Sequence, residues 1–148
     1  MMYLRTLPER LTAGHYAVHW TVGRKRGGSV TVSLSPELED AELIAELCAM
    51  RYLLLDKRVF NVSPTSGKGY CLQVSTGAIR KLVLRKSTKS AAFPYAAFLS
   101  SRMHGAKIEV ISKTEPILFD DAPVLEQEHI SPDPDVYASA NEAIDTPA

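Results

Sequence analysis

Cysteine and long apolar segments are scarce in this sequence of 148 residues. The two cysteines, Cys48 and Cys71, lie far apart in apolar segments without the paired spacing of zinc ligands, so we expect two buried thiols. No apolar run approaches the roughly 20 residues that a membrane-spanning helix needs. Residues 1–10 also lack the basic-then-apolar order of a signal peptide. These absences exclude disulfide-rich and membrane-spanning classes and predict a cytoplasmic globular protein.

Charge of one sign is missing from two long segments. Ten basic residues and no carboxylate lie in residues 57–107, and nine acids with no base lie in residues 114–148. The formal net charge of zero therefore combines a body of charge +9, residues 1–113, with a tail of charge −9. Such asymmetry is typical of a chain whose body binds a polyanion. We expect a basic α/β body in residues 1–113 and an acidic, proline-containing, largely flexible tail in residues 114–148.

Hydrophobic periodicity predicts one α+β (or α/β) domain with a mixed β-sheet and flanking helices. Alternating apolar residues predict a β-hairpin in residues 16–34, with three cations in its loop. Ser35 as N-cap and Pro36 after it predict a largely buried helix that runs to about residue 55. The other predicted elements are strands at residues 59–62, 70–75 and 107–112 and helices at residues 78–85 and 94–104.

Three of these segments together resemble the ribonuclease H-like superfamily. Residues 16–34 resemble its inner hairpin, and residues 41–50 resemble its first helix, which bears an acid followed by small and apolar positions. Residues 72–81 correspond to a strand and the helix after it. The resemblance covers roughly residues 1–113 and implies phosphodiester hydrolysis by two divalent metal ions, Mg²⁺ or Mn²⁺, held by three or four carboxylates. Glu42 matches the acid of the helix.

The other metal-binding acids of that family are missing from the matching positions. Residues 1–8 contain no acid, and Ser75, Thr76 and Gly77 stand where an aspartate is required. One carboxylate does not hold two dications between phosphates. The resemblance therefore implies a ribonuclease H-like fold that has lost the two-metal enzyme and uses no cofactor. Glu42 is a metal ligand, for Mg²⁺ or Mn²⁺, only under a divergent nuclease activity.

What remains is a surface that binds the phosphates of DNA or RNA. The turn at residues 75–77 precedes a helix N-terminus, where free N–H groups favour a phosphate. The absence of acids over 51 residues favours binding over a merely solvated basic face. The predicted nucleic-acid-binding residues are Arg24, Lys25, Arg26, Ser75, Thr76, Gly77, Arg80, Lys81, Arg85, Lys86 and Lys89.

A non-catalytic nucleic-acid-binding accessory protein is the leading hypothesis, and two other functions stay open. A protein-interaction module would use the basic face to bind an acidic partner. A divergent metal-dependent nuclease would use Glu42. The acidic tail is a solubilising appendage, a competitor of nucleic acid for the basic face, or a segment that orders on a partner protein.

Overall fold

A mixed β-sheet of six strands, with helices packed against it, forms the described part of the protein. The computed structural model describes residues 2–23, 26–56, 69–103, 105–111 and 124–132. The strands are β1 (Met2–Thr12), β2 (His15–Val22), β3 (Arg26–Ser33), β4 (Tyr70–Val74), β5 (Lys107–Val110) and β6 (Val124–Ile130). The helices are α1 (Ala41–Arg51), which continues into a π-helical turn (Tyr52–Asp56), α2 (Gly77–Val83), and α3 (Ala97–Arg102), which follows a 3-10 turn (Phe93–Ala96).

The strand order across the sheet is β5-β4-β1-β2-β3-β6. Strands β1, β2 and β3 form antiparallel pairs, whereas β4 is parallel to β1 and β5, and β6 is parallel to β3. Helix α1 connects β3 to β4, and α2 and α3 make the crossover that the parallel pair β4–β5 needs. The predicted α+β class, a mixed sheet with flanking helices, is confirmed.

The hydrophobic core lies between one face of the sheet and the helices. Because side chains alternate along a strand, Val18, Trp20 and Val22 of β2 share the buried face with Val30 and Val32 of β3. Helix α1 contacts β1, β2 and β3, and α2 contacts β4 and β5. Removal of this apolar surface from water is the main favourable term in folding.

The opposite face of the sheet carries a polar network across β1, β4 and β5. Arg5 Nε donates to Gln73 Oε1 at 3.1 Å, and Gln73 Nε2 donates to Glu109 Oε2, also at 3.1 Å. Lys107 Nζ lies 2.9 Å from Glu109 Oε1, and its hydrogen bond lowers the pKa of Glu109. Cross-strand polar pairs of this kind stabilise a sheet face that water reaches.

The predicted hairpin and the buried thiols are confirmed, but the predicted start of α1 is wrong. Helix α1 begins at Ala41, after Asp40 in the left-handed conformation at φ 54°. Ser35 closes an earlier turn instead, and its carbonyl accepts the Leu38 N–H at 3.1 Å. Asp40 Oδ2 accepts a hydrogen bond from Ser90 Oγ at 2.7 Å. Aspartate tolerates this backbone conformation, and the tertiary contact helps to hold it.

Residues 124–130 differ from the predicted flexible tail, because they form β6 against the outer edge of β3. Gly28 permits this close approach, since a Cβ at that position would lie 1.8 Å from the Glu126 carbonyl oxygen. The edge of β3 supplies the backbone hydrogen-bond partners, which local composition does not reveal. Residues 114–123 and 133–148 of the predicted tail and the predicted strand at residues 59–62 lie outside the described residues.

Gly28→Ala should loosen β6 from the sheet. The new methyl group would collide with the Glu126 backbone, so we expect the β3–β6 ladder to open or shift while β1, β2 and β4 stay paired. Amide hydrogen exchange, followed by mass spectrometry, should then be faster in residues 124–130 and unchanged in β1. Gly77→Ala is the control, since no atom lies within 4 Å of a Cβ there. Equal protection of β6 in variant and wild type would contradict the assigned pairing.

Candidate nucleic-acid interface

Helix α2 presents basic side chains on its solvent side. Thr76 is the N-cap, because its Oγ1 accepts the Ile79 N–H at 3.4 Å. Ile79 and Leu82 are buried in the core. A helix that buries one side leaves the residues of the other side in water, and Arg80 and Lys81 are exposed there.

The end of α2 adds two cations at a strained backbone. Arg85 has φ 60°, the left-handed conformation that glycine usually adopts after a helix. The Arg85 N–H donates to the Leu82 carbonyl at 3.1 Å, and the Lys86 N–H donates to the Lys81 carbonyl at 2.8 Å. These two hydrogen bonds form a Schellman motif, which ends the helix with Arg85 and Lys86 beside its last turn.

Helix α3 brings a further cation to the end of α2. Arg85 Nη2 donates to Ser101 Oγ at 3.4 Å, and the exposed Arg102 follows Ser101. Lys89, in the loop after α2, is exposed as well. These residues form the α2–α3 cation cluster, which consists of Arg80, Lys81, Arg85, Lys86, Lys89 and Arg102.

Five of the six cations in the α2–α3 cation cluster have no carboxylate partner among the described residues. Within the described part of the chain, no ion pair or hydrogen bond is made by the side chains of Arg80, Lys81, Lys86, Lys89 and Arg102. At the border of the cluster, Asp40 accepts a hydrogen bond from Ser90, the neighbour of Lys89. Neighbouring like charges attract a polyanion, and the binding of that polyanion releases counterions.

The turn before α2 is occupied by a buried carboxyl group. The Ser75 N–H donates to Glu46 Oε2 at 3.0 Å, and Ser75 Oγ makes a short hydrogen bond to Glu46 Oε1. Thr76 uses its Oγ1 as the cap of α2. Within the expected phosphate seat at Ser75, Thr76 and Gly77, the donors of Ser75 are therefore used by Glu46, and the Thr76 hydroxyl oxygen is used as the cap.

The hairpin residue Arg26 is separate from the cluster. Its Nε donates to Glu126 Oε2 at 2.7 Å, its Nη2 donates to Oε1 at 3.3 Å, and its guanidinium carbon lies 5.9 Å from the centre of the Trp20 ring. The hydrogen bond with Glu126 raises the pKa of Arg26. Strands β1 and β2 separate β3 from β4, so Arg26 does not join the cations beside α2. Arg24 and Lys25 lie outside the described residues.

A buried acid that the sequence analysis did not single out joins α1 to β1 and to the turn after β4. Glu46 is 0% exposed, and its Oε2 accepts from Thr6 Oγ1 at 2.8 Å as well as from the Ser75 N–H. Burial raises the pKa of Glu46, which favours the protonated form. Glu42, the residue matched to the family's helix acid, is exposed one turn earlier. The sequence carries no signal that separates Glu46 from Glu42, because the two acids lie one helical turn apart on α1.

The residues around Glu46 do not fit a pair of divalent metal ions. Mg²⁺ and Mn²⁺ prefer anionic oxygen ligands, and two ions together need several carboxylates. Thr6 and Ser75 instead supply hydroxyl groups, and these are hydrogen-bonded to an acid whose burial favours its neutral form. Across the described ranges, no group of three or more His, Cys, Asp or Glu side chains comes together. This arrangement joins α1 to the sheet.

Comparisons with known proteins add no relative. No family model, curated protein or solved structure matches the chain. In the part of the chain that the structure describes, no helix has both the length and the apolar character needed to cross a membrane.

Glu46→Gln should reduce the dependence of stability on pH. A glutamine reproduces the protonated acid, because its oxygen accepts from Thr6 and from the Ser75 N–H while its NH₂ group donates to Ser75 Oγ. In the wild type, the folded pKa of Glu46 lies above the unfolded value near 4.5. The free energy of unfolding therefore loses its Glu46 contribution as pH rises from the unfolded pKa to the folded pKa.

Urea unfolding at several pH values between about 4 and 8 measures this effect. We expect Glu46→Gln to gain stability relative to the wild type by up to about 1.4 kcal/mol per pH unit within that window, and to match it near the acid end. Glu37→Gln, which removes an exposed carboxylate outside this contact, is the control. Stability curves that stay parallel for Glu46→Gln and the wild type would show that Glu46 is not held neutral.

Proposed function

We propose that this protein is a non-catalytic nucleic-acid-binding accessory protein whose α2–α3 cation cluster contacts the phosphates of DNA or RNA. The observation that carries the proposal is the cluster itself: six exposed cations from α2, the loop after it and α3. Such a surface attracts phosphates independently of base sequence. Both arginine and lysine bind phosphate groups. Arginine donates hydrogen bonds from its planar guanidinium group, and lysine contributes a compact positive charge.

The position of the described acidic segment supports the proposal. Glu126 and Glu128 lie on β6 at one edge of the sheet, whereas α2 packs on β4 and β5 towards the other edge. Four strand spacings separate β6 from β4, a distance of about 19 Å. Exposed charges are largely screened beyond about 8–10 Å at moderate salt. These two carboxylates therefore do not neutralise the cluster.

The proposed ribonuclease H-like arrangement is supported by the order of elements in the body. Three strands, a long helix, a strand, two helices and a strand follow one another. The hairpin β2–β3, helix α1 and the segment from β4 to α2 fall on the three segments that carry the resemblance. The surroundings of Glu46 support the non-catalytic part of the proposal. Thr6 on β1 and Ser75 after β4 contribute hydroxyl groups beside the acid of α1, where metal catalysis would need carboxylates.

A protein-interaction module is the second candidate, because the cluster would also attract an acidic protein surface. The pairing of β6 with β3 favours this candidate, since it shows that an acidic segment adds as a strand to this sheet. Nucleic acid and acidic protein differ in a measurable way. A polynucleotide releases condensed counterions and gives a steep salt dependence, whereas a polypeptide of separated carboxylates gives a shallower one.

Reversal of four cluster charges, with Arg80, Lys81, Arg85 and Lys86 replaced by Glu, should abolish the steep salt dependence of nucleic-acid binding. Each lost phosphate contact should lower the slope of log K against log salt by roughly 0.7–0.9. Fluorescence anisotropy with labelled single-stranded and double-stranded DNA and RNA at several salt concentrations measures both affinity and slope.

Two controls make this test specific. Arg10→Glu reverses a cation on β1 outside the cluster and should leave the slope nearly unchanged. Polyglutamate as a competitor separates the two candidates, because it should displace an acidic protein partner but compete weakly with nucleic acid. Wild-type protein that binds no nucleic acid at low salt, or a reversal variant with the wild-type slope, would reject the proposed function.

A further inference from the structure

Strand β5 forms one edge of the sheet. It pairs with β4 on one side, and no strand of the described ranges lies on its other side. The Ile111 N–H, directly after β5, donates to the Val74 carbonyl at 2.8 Å. Because successive backbone groups of a strand point to opposite sides, Ile108 and Val110 direct their N–H and C=O groups away from β4. Such an open row of donors and acceptors is a template for another strand.

Apolar side chains are exposed beside this edge, on the face of the sheet that the helices cover. Ile108 packs against the core there, and Val110 shares its face because side chains alternate along a strand. Val110 is 47% exposed, and Leu84, at the end of α2, is 40% exposed. Leu84 lies close to β5, since it lines the same recess as Ile108. A strand added to β5 would therefore remove apolar surface from water.

The opposite face of β5 carries one cation and one acid, two residues apart. Lys107 Nζ lies 2.9 Å from Glu109 Oε1, and the two side chains are 62% and 36% exposed. Across an antiparallel strand pair, opposite charges that face each other stabilise the pairing, and like charges destabilise it. The charges of Lys107 and Glu109 therefore determine which strand, in which register, fits this edge.

We propose that β5 pairs antiparallel with β5 of a second copy of this chain, about a two-fold axis at Ile108. Ile108 would exchange backbone hydrogen bonds with Ile108 of the second copy, through the N–H and C=O groups that point outwards. The Val110 N–H would donate to the Ala106 carbonyl of the second copy. Lys107 of each copy would lie opposite Glu109 of the other, as the symmetry of such an interface requires. The inference goes beyond the proposed function and does not depend on it.

Charge selects this register among those that the backbone allows. An axis at Lys107 would place two lysines opposite each other, and an axis at Glu109 would do the same with two glutamates. An axis at Val110 would place Glu109 opposite Ile111, which is buried in each copy. The axis at Ile108 instead makes two pairs of opposite charge. Lys107 keeps its own Glu109 and gains a second one, so the existing ion pair is compatible with the dimer.

The pairing would bring two α2–α3 cation clusters to one side of a continuous sheet. Side chains that lie opposite each other in a strand pair are on the same face. Ile108 lies on the helix-covered face in each copy, so the helices of both copies would cover that same face. Since α2 contacts β5, the two clusters would be neighbours across the axis. This consequence rests on the proposed function, because it doubles the surface offered to a polyanion.

Self-association of the wild-type chain is the first test. Sedimentation velocity from micromolar concentrations to about 0.5 mM should show the average mass rising from 16.3 kDa towards twice that value. Amide hydrogen exchange in residues 107–110 should slow over the same range, because the outward N–H groups become hydrogen-bonded. Exchange in β2, at the centre of the sheet, should not depend on concentration.

Charge reversal tests the register. Lys107→Glu leaves acids at both positions, and Glu109→Lys leaves cations at both. Each variant alone should self-associate about tenfold more weakly than the wild type, because two attractive pairs become repulsive. An equimolar mixture of the two variants restores opposite charges across the axis, so it should associate at least as tightly as the wild type. Arg10→Glu, which makes the same change of charge outside β5, is the control and should self-associate like the wild type.

The mixture isolates the contact between copies. Both variants lose the ion pair between Lys107 and Glu109 within their own strand, and mixing does not restore it. Recovered association therefore reports on pairs that form across the axis.

Val110→Pro tests the backbone ladder without a change of charge. Proline is tolerated on an edge strand where the N–H faces away from the sheet, so the fold should persist. The variant loses the outward donor, and its self-association should fall about tenfold because two hydrogen bonds of the symmetric pair are lost. Val110→Ile keeps both the N–H and the apolar side chain, and it should self-associate like the wild type.

The inference is overturned by a wild-type chain that stays at 16.3 kDa up to the highest concentration. A dimer without slower exchange in residues 107–110, or a mixture no tighter than its separate variants, would place the contact elsewhere and overturn it as well. The mass and exchange measurements use the wild-type chain, so a variant that fails to fold does not remove the test. None of these experiments contains nucleic acid, so their failure would leave the proposed function standing.

Discussion

The hydrogen bonds of Glu46 hold together the elements that position the α2–α3 cation cluster. Its Oε2 accepts from Thr6 of β1 and from the backbone of Ser75, between β4 and α2. A buried carboxyl group without such donors would be strongly destabilising, so the fold depends on these partners. Because Thr76, the N-cap of α2, follows directly, the departure of α2 from the sheet is tied to this contact. A buried acid thus orients the helix that carries the cations.

Separation of charge along the sequence has two different outcomes in three dimensions. Beside α2, cations of the helix, of the loop after it and of α3 are exposed to water, and Arg85 contacts α3 at Ser101. At β3, Arg26 meets Glu126 of the acidic segment and lies against Trp20, so it serves the attachment of β6. One basic region therefore faces solvent while the other stabilises the sheet. The separation of basic and acidic residues along the sequence does not distinguish these two basic regions, because the difference depends on the strand with which the acidic segment pairs.

The sequence predicted the elements whose formation depends on residues close together in the chain. The period-two alternation of the hairpin and the cations of α2 were readable, because neither depends on a distant partner. The start of α1 was not, since Asp40 is held partly by Ser90, fifty residues later. Glu42 and Glu46 are one helical turn apart, and only the packing of α1 on the sheet decides which is buried. Strand β6 was missed because its partner lies about a hundred residues earlier in the chain.

The pairing of β6 with β3 joins segments that a ribosome makes far apart in time. While residues 124–130 are still unmade, the outer side of β3 presents unpaired backbone N–H and C=O groups, and an open strand edge is a template for other chains. Loss of residues 124–130 from a finished molecule would create the same exposed edge. Copies with a free edge then compete for one another's terminal strands, which is a route to strand-exchanged assemblies. Solution behaviour of this chain therefore depends on the integrity of its last described strand.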